Sequence, residues 1–232
     1  MSGKTIYSPY SILVLAILLA ILLPVVALVF VGVLGAAFAK VGLSPIAIAL
    51  ILIATFVGSY INIPVGKLKS SVPVAKEEYV NFFGVRYRTR QIEYGQSETV
   101  VAVNVGGALM PTGVCIYLLS RSASSTIFYS IIGVAIVALI THLVARPVKG
   151  EGIVTPTFVP PIAAAVVAII LQPSHAEIIA YVAGVLGALI GADLTNLRAI
   201  PKLGAPMASI GGAGTFDGVF LTGIIAVLLA GL

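Results

Sequence analysis

Charge is scarce in this sequence. Eight acidic and thirteen basic residues make up 9% of 232, against 59% hydrophobic. That leaves too little polar surface to cover a water-soluble globule. Cysteine is nearly absent too: Cys115 stands alone inside an apolar segment, which excludes an intrachain disulfide and a multi-cysteine metal site. His142 and His175 are the only imidazoles, there is no HExxH, and no complete glycine-rich phosphate loop ending in Lys-Ser or Lys-Thr occurs. Zinc-protease and nucleotide-hydrolase chemistries therefore lack their parts. Ser209 and His142 share no motif that would make a serine protease of them. The net charge of +5 comes without a basic, aromatic surface large enough to bind nucleic acid, and is better read as membrane topology.

What the chain does have is apolar length. Crossing a hydrocarbon core of about 30 Å takes roughly 20 apolar residues as a helix. Such runs occur at about 11–39, 44–64, 100–120, 124–146, 159–173, 176–197 and 208–231. They are continuous rather than alternating, which argues against a β-barrel. The first run is too long for a signal-peptide core and is followed by another span, so it is expected to be a retained helix, kinked near Pro24. The fifth, preceded by Pro160-Pro161, is short. The expected fold is all-α: one integral membrane domain over 1–232, a bundle of about seven helices in the cell membrane.

Seven crossings put the termini on opposite sides. With that parity, 11 of the 13 basic residues fall on the N-terminal side, and Lys40 and Arg121 alone fall on the other. The positive-inside rule then puts the N-terminus in the cytoplasm and the C-terminus outside. The longest polar stretch, Gly66 to Thr99, is too short for an ordinary independent domain. Within it, Val85-Arg86-Tyr87-Arg88-Thr89-Arg90 alternates as a strand does. Turn candidates at Gly84 and Gly95 suggest a small cytoplasmic hairpin between spans two and three. Its arginines would meet lipid phosphates, or its edge would hold an extended peptide.

Six of the eight acidic residues lie in loops or near span ends: Glu77, Glu78, Glu93, Glu98, Glu151 and Glu177. The other two are the only aspartates, Asp193 in span six and Asp217 in span seven. Asp193 is five residues before Arg198, about 7 Å inside the boundary at 1.5 Å per residue. Spans six and seven run antiparallel through a short connection, so the two carboxyls reach one membrane level from one side. A carboxylate at mid-membrane costs about 2.5–3.5 kcal/mol even on the mild insertion scale. Two together in low dielectric would hold a shared proton, suited to activating water and polarising a carbonyl; the alternative is that each makes a separate structural hydrogen bond to a neighbouring helix.

Glycines surround both: Gly191 before Asp193, and Gly211, Gly212 and Gly214 with Phe216 before Asp217. They weaken helices and let other backbone approach. A second unusual segment runs from Asn104 through Gly106-Gly107 to Pro111 and Gly113, where a broken third span would line a polar cavity or, alternatively, pack closely with a proline kink. His142, in span four, reads as a helix-to-helix hydrogen bond and stays outside the expected site.

Through Asn104-Val105-Gly106-Gly107-Ala108 with Pro111, Gly191-Ala192-Asp193, and Gly211 to Gly218, the chain resembles a family of uncharacterised multi-pass prokaryotic membrane proteins. That family implies no reaction. Spans six and seven also resemble, distantly, the presenilin and signal-peptide-peptidase group of intramembrane aspartyl proteases, which carry one aspartate on each of two successive helices joined in the cytoplasm. That resemblance would make Asp193 and Asp217 a catalytic dyad. The motifs differ: the group's second aspartate follows a glycine and its first an aromatic, whereas here Ala192 precedes Asp193 and Phe216 precedes Asp217. Its Pro-Ala-Leu element is absent.

Two functions follow. One is peptide-bond hydrolysis in or near the membrane by Asp193 and Asp217, with Gly191, Gly212, Gly214, Phe216, Asn104 and Pro111 as substrate contacts. The other is proton- or cation-coupled transport on the same aspartates. No cofactor or resident metal is expected. The expected partners are the bilayer and a membrane-protein or peptide substrate.

Overall fold

The computed structural model describes residues 9–82, 85–148, 152–203, 207–212 and 217–232. Seven α-helices occur among them, at the seven apolar runs: α1 (Pro9–Lys40), α2 (Pro45–Gly58), α3 (Met110–Ser120), α4 (Ser124–Val144), α5 (Val159–Leu171), α6 (Ala176–Ala188) and α7 (Gly218–Ala230). A π-helical turn, Val105–Leu109, leads into α3, and another, Leu189–Leu194, ends α6. Three segments are long and apolar enough to cross a membrane unaided: Ile12–Lys40, Ser124–Val144 and Pro173–Leu194.

Five strands accompany them among the described residues: β1 (Asn62–Phe82), β2 (Val85–Asn104), β3 (Arg146–Val148), β4 (Gly152–Val154) and β5 (Met207–Ile210). The first, second and fifth form one sheet in the order β1-β2-β5, with β2 and β5 parallel. The all-α expectation, a helix bundle with one small hairpin, is corrected to a mostly helical fold with two sheets. So is the small hairpin over 82–95: β1 and β2 pair from Asn62↔Asn104 to Phe82↔Val85, and Gly95 is a paired strand residue opposite Val72, not a turn. The run Thr99 to Val103 is dominated by β-branched side chains, which favour a strand over the start of a third span. The register shifts between Pro64 and Gly66, where proline brings no N–H to the ladder.

The sheet explains how the shorter helices fit. The 14 residues of α2, the 16 of Val105–Ser120 and the 13 of α7 rise only about 20–24 Å at 1.5 Å per residue. Each joins a strand of the one sheet at the same end: α2 feeds β1, β2 feeds α3, and β5 feeds α7. The strand ends prolong each helix, and the ladder satisfies their backbone. Val101, Ala102 and Asn104 are accordingly buried. β5 takes the start of the seventh run, and the helix there starts at Gly218, not at 208.

The bundle closes around α6. Tyr181 packs against Phe38 of α1 with ring centroids 5.8 Å apart, and Phe38 meets Phe220 of α7 at 6.0 Å. Between α4, α5 and α6 the contact is made by small residues: Ala164, Ala168, Ala180 and Ala183 have no exposed surface to speak of, and Val137 sits directly on Gly187. Such surfaces bring membrane helices close enough for dispersion to hold them. α1 continues unbroken through Pro24, and only its last turns are buried, at Leu34, Ala37 and Phe38. Its end is tied to the end of α7, where Lys40 Nζ donates to Gly231 O at 2.7 Å.

Candidate functional site

The two aspartates come from different directions onto one turn. Gly211 and Gly212 follow β5 with φ of +81° and +78°, a left-handed pair that side chains disfavour. Asp193, in the π-helical turn that ends α6, accepts a hydrogen bond from Gly211 N–H through Oδ2 at 2.6 Å. Asp217, the residue that opens α7, lies with its carboxyl against Gly212, so closely that a methyl group there would overlap it. The two contacted glycines are chain neighbours, with Cα atoms about 3.8 Å apart. Both carboxyls are half-buried. Asp217 also stands at a helix N-terminus, where the backbone dipole favours negative charge.

The turn itself is seated on the start of the third helix. Gly211 O touches Gly107, and Gly211 Cα packs on Ala108, so neither glycine has room for a Cβ. Gly106 in turn lies against the backbone of Thr55 and Ser59 at the end of α2. Asn104 fastens this corner. Fully buried, it receives Gly107 N–H on Oδ1 at 2.7 Å and donates through Nδ2 to Ser59 O at 2.8 Å and Asn62 Oδ1 at 3.2 Å. Ser209 Oγ stands 2.6 Å from both Asn62 Oδ1 and Gly212 O, so its single proton has two acceptors. A continuous polar chain therefore links Asn104 to the residue that Asp217 touches.

On the Asp193 side the π-helical turn frees carbonyls that the following residues cap. Thr195 Oγ1 donates to Gly191 O at 2.7 Å, and Asn196 Nδ2 to Gly191 O and Ala192 O at 3.1 and 2.9 Å. His142 Nδ1 is 2.8 Å from Thr195 Oγ1. Because that hydroxyl spends its proton on Gly191 O, the histidine is the donor, which fixes its Nδ1–H form. The bond joins α4 to the end of α6, as expected for His142.

These placements sort the expected contact residues. Asp193, Asp217 and Gly212 meet at the turn. Gly191 faces away from it, against Ala138 O and Thr141 of α4, where it serves helix packing. Asn104 does not line a cavity but is enclosed, and Pro111 is buried in the first turn of α3, where its missing N–H costs nothing. Gly214 and Phe216 lie outside the described residues. Asn62, Ser59, Ser209, Thr195 and Asn196 were not anticipated. Their one signal is that each is a small polar residue at the end of an apolar run.

A family model spans residues 56–229, three quarters of the chain, and includes every residue of this constellation from Ser59 to Asp217. The chain belongs to that family. It is described as protein of unknown function DUF1614. The DUF1614 match leaves out α1 and most of α2, so the hairpin sheet, the glycine turn and helices α3 to α7 are the shared unit. No curated protein and no solved structure matches the chain, and the comparisons show no likeness to presenilin-type proteases.

Proposed function

We propose that this membrane protein is an intramembrane aspartyl protease in which Asp193 and Asp217 act as one hydrolytic pair. The observation that carries the reading is the convergence of both carboxyls on Gly211 and Gly212, at the end of a strand with a spare edge. Among the described residues β5 pairs with β2 alone. An extended peptide added to its other edge would gain backbone hydrogen bonds and run toward the aspartates. This edge, rather than the hairpin tip over 82–95, is the substrate guide.

In the hydrolysis one carboxylate takes a proton from water while the partner, carrying the shared proton, donates it to the peptide oxygen as hydroxide bonds to the carbonyl carbon. Collapse of the tetrahedral adduct breaks the C–N bond, the amine leaves with a proton from the first carboxyl, and the second recovers its own. Water and peptide are the only reactants consumed.

The orientation we assign has seven crossings, the N-terminus in the cytoplasm and the aspartate turn near the cytoplasmic face of the cell membrane. It is supported by the count of 11 of 13 basic residues on that side and by the Lys40–Gly231 bond, which sets the ends of α1 and α7 at one face. The transport alternative asks Asn104 to line a path, and its burial and three hydrogen bonds speak against that task. Reconstitution decides between the two: wild-type protein should cut a single-span peptide near its cytoplasmic end. Proton or cation flux into proteoliposomes without any cleavage would favour transport instead.

A further inference from the structure

Away from the aspartates, a cavity of about 490 Å³ opens where α4 gives way to the β3–β4 hairpin. Leu143, Val144, Val148, Val154 and Pro156 make its walls, and Arg146 contributes to its lining. Leu143 and Val144 are the last residues of a 21-residue apolar span, so the cavity lies at the edge of the hydrocarbon. Arg146 is two residues farther on, at headgroup level, exposed, and held in place by pairing of β3 with β4 at Arg146↔Val154. Among the described residues the ion pair is Lys67–Glu98, and no carboxylate partners Arg146. Exposed Arg198 adds a second cation from Leu197–Leu203, a segment that packs on both β3 and β4.

An apolar cavity ending in a guanidinium that no carboxylate pairs among the described residues matches, at this depth, one chemistry: an acyl chain continued by a phosphate. We propose that this cavity binds an anionic phospholipid, with Arg146 gripping the headgroup phosphate and the apolar walls taking the chain. The planar guanidinium presents paired N–H donors that fit a phosphate, and the second cation favours a headgroup of net negative charge. The proposal is independent of any hydrolytic activity.

The test uses the full chain in detergent, with bound lipid counted by native mass spectrometry. Phosphatidylglycerol should bind about fivefold more tightly than phosphatidylcholine of the same chains, the worth of one basic residue at an anionic surface. Arg146→Ala should weaken both lipids, which share the phosphate, and narrow the preference for phosphatidylglycerol, while Val154→Trp, which fills the cavity, should weaken both without narrowing it. Inorganic phosphate at millimolar concentration should displace neither. Undiminished binding of both lipids in Arg146→Ala, full binding in Val154→Trp, or displacement by inorganic phosphate would each overturn the proposal, the last by showing a site for free anions.

Discussion

Replacing Gly212 with alanine tests how tightly the glycine turn holds the second aspartate. The change asks an L-residue to keep φ at +78° and puts its methyl group onto the Asp217 carboxyl. The backbone part alone costs about 1–2 kcal/mol. At roughly 2–4 °C per kcal/mol for a chain of this size, the melting temperature should fall by about 2–8 °C. Gly113→Ala is the matched control. That glycine lies inside α3 with nothing within 4 Å of a new Cβ, so alanine should leave stability unchanged or raise it by up to about 1 kcal/mol. Helical circular dichroism followed through a thermal ramp in detergent reads both variants. A Gly212→Ala protein that melts at or above the wild-type temperature, beside a destabilised Gly113→Ala, would refute the reasoning. Peptide cleavage by Gly212→Ala should fall as well, because Asp217 has to move.

Asn104→Ala removes three hydrogen bonds and strands Gly107 N–H and Ser59 O in a buried corner. At about 1–3 kcal/mol for each unsatisfied group, the loss should be roughly 2–6 kcal/mol, seen as a melting temperature lower by several degrees or more. The seven-span orientation predicts opposite labelling of two exposed positions in a Cys115→Ala background. A cysteine at Lys67 should react with impermeant maleimide only from the cytoplasmic side, and one at Ala123 only from outside. Labelling of both from one side would break the parity.

The helices were legible because lipid demands long apolar runs, and all seven appear where those runs lie. The helix ends were not, because hydropathy is blind to the difference between an apolar helix and an apolar strand buried in the same membrane protein. Thr99 to Val103 and Met207 to Ile210 read as span in one dimension and prove to be β2 and β5. The parallel partnership of those strands joins residues more than a hundred positions apart, which no local pattern announces. The aspartates stood out through scarcity, since a carboxyl in an apolar run needs a reason. Their meeting on Gly211 and Gly212 comes from the turn that follows β5, set beside the end of α6. The partners that seat the turn, Asn62 and Ser209 above all, are ordinary polar residues in sequence and acquire their roles only when β1 and β5 come to lie on either side of β2.

The measurement that bears most directly on the account is a double-substitution comparison at the two aspartates in reconstituted protein. Cleavage of a single-span peptide should fall at least about 100-fold in Asp193→Asn and again in Asp217→Asn, the scale of one lost acid or base. If the carboxyls work as a unit, the double variant should be no slower than the slower of the two. Losses that multiply in the double variant, or cleavage that survives in either single one, would contradict a shared dyad.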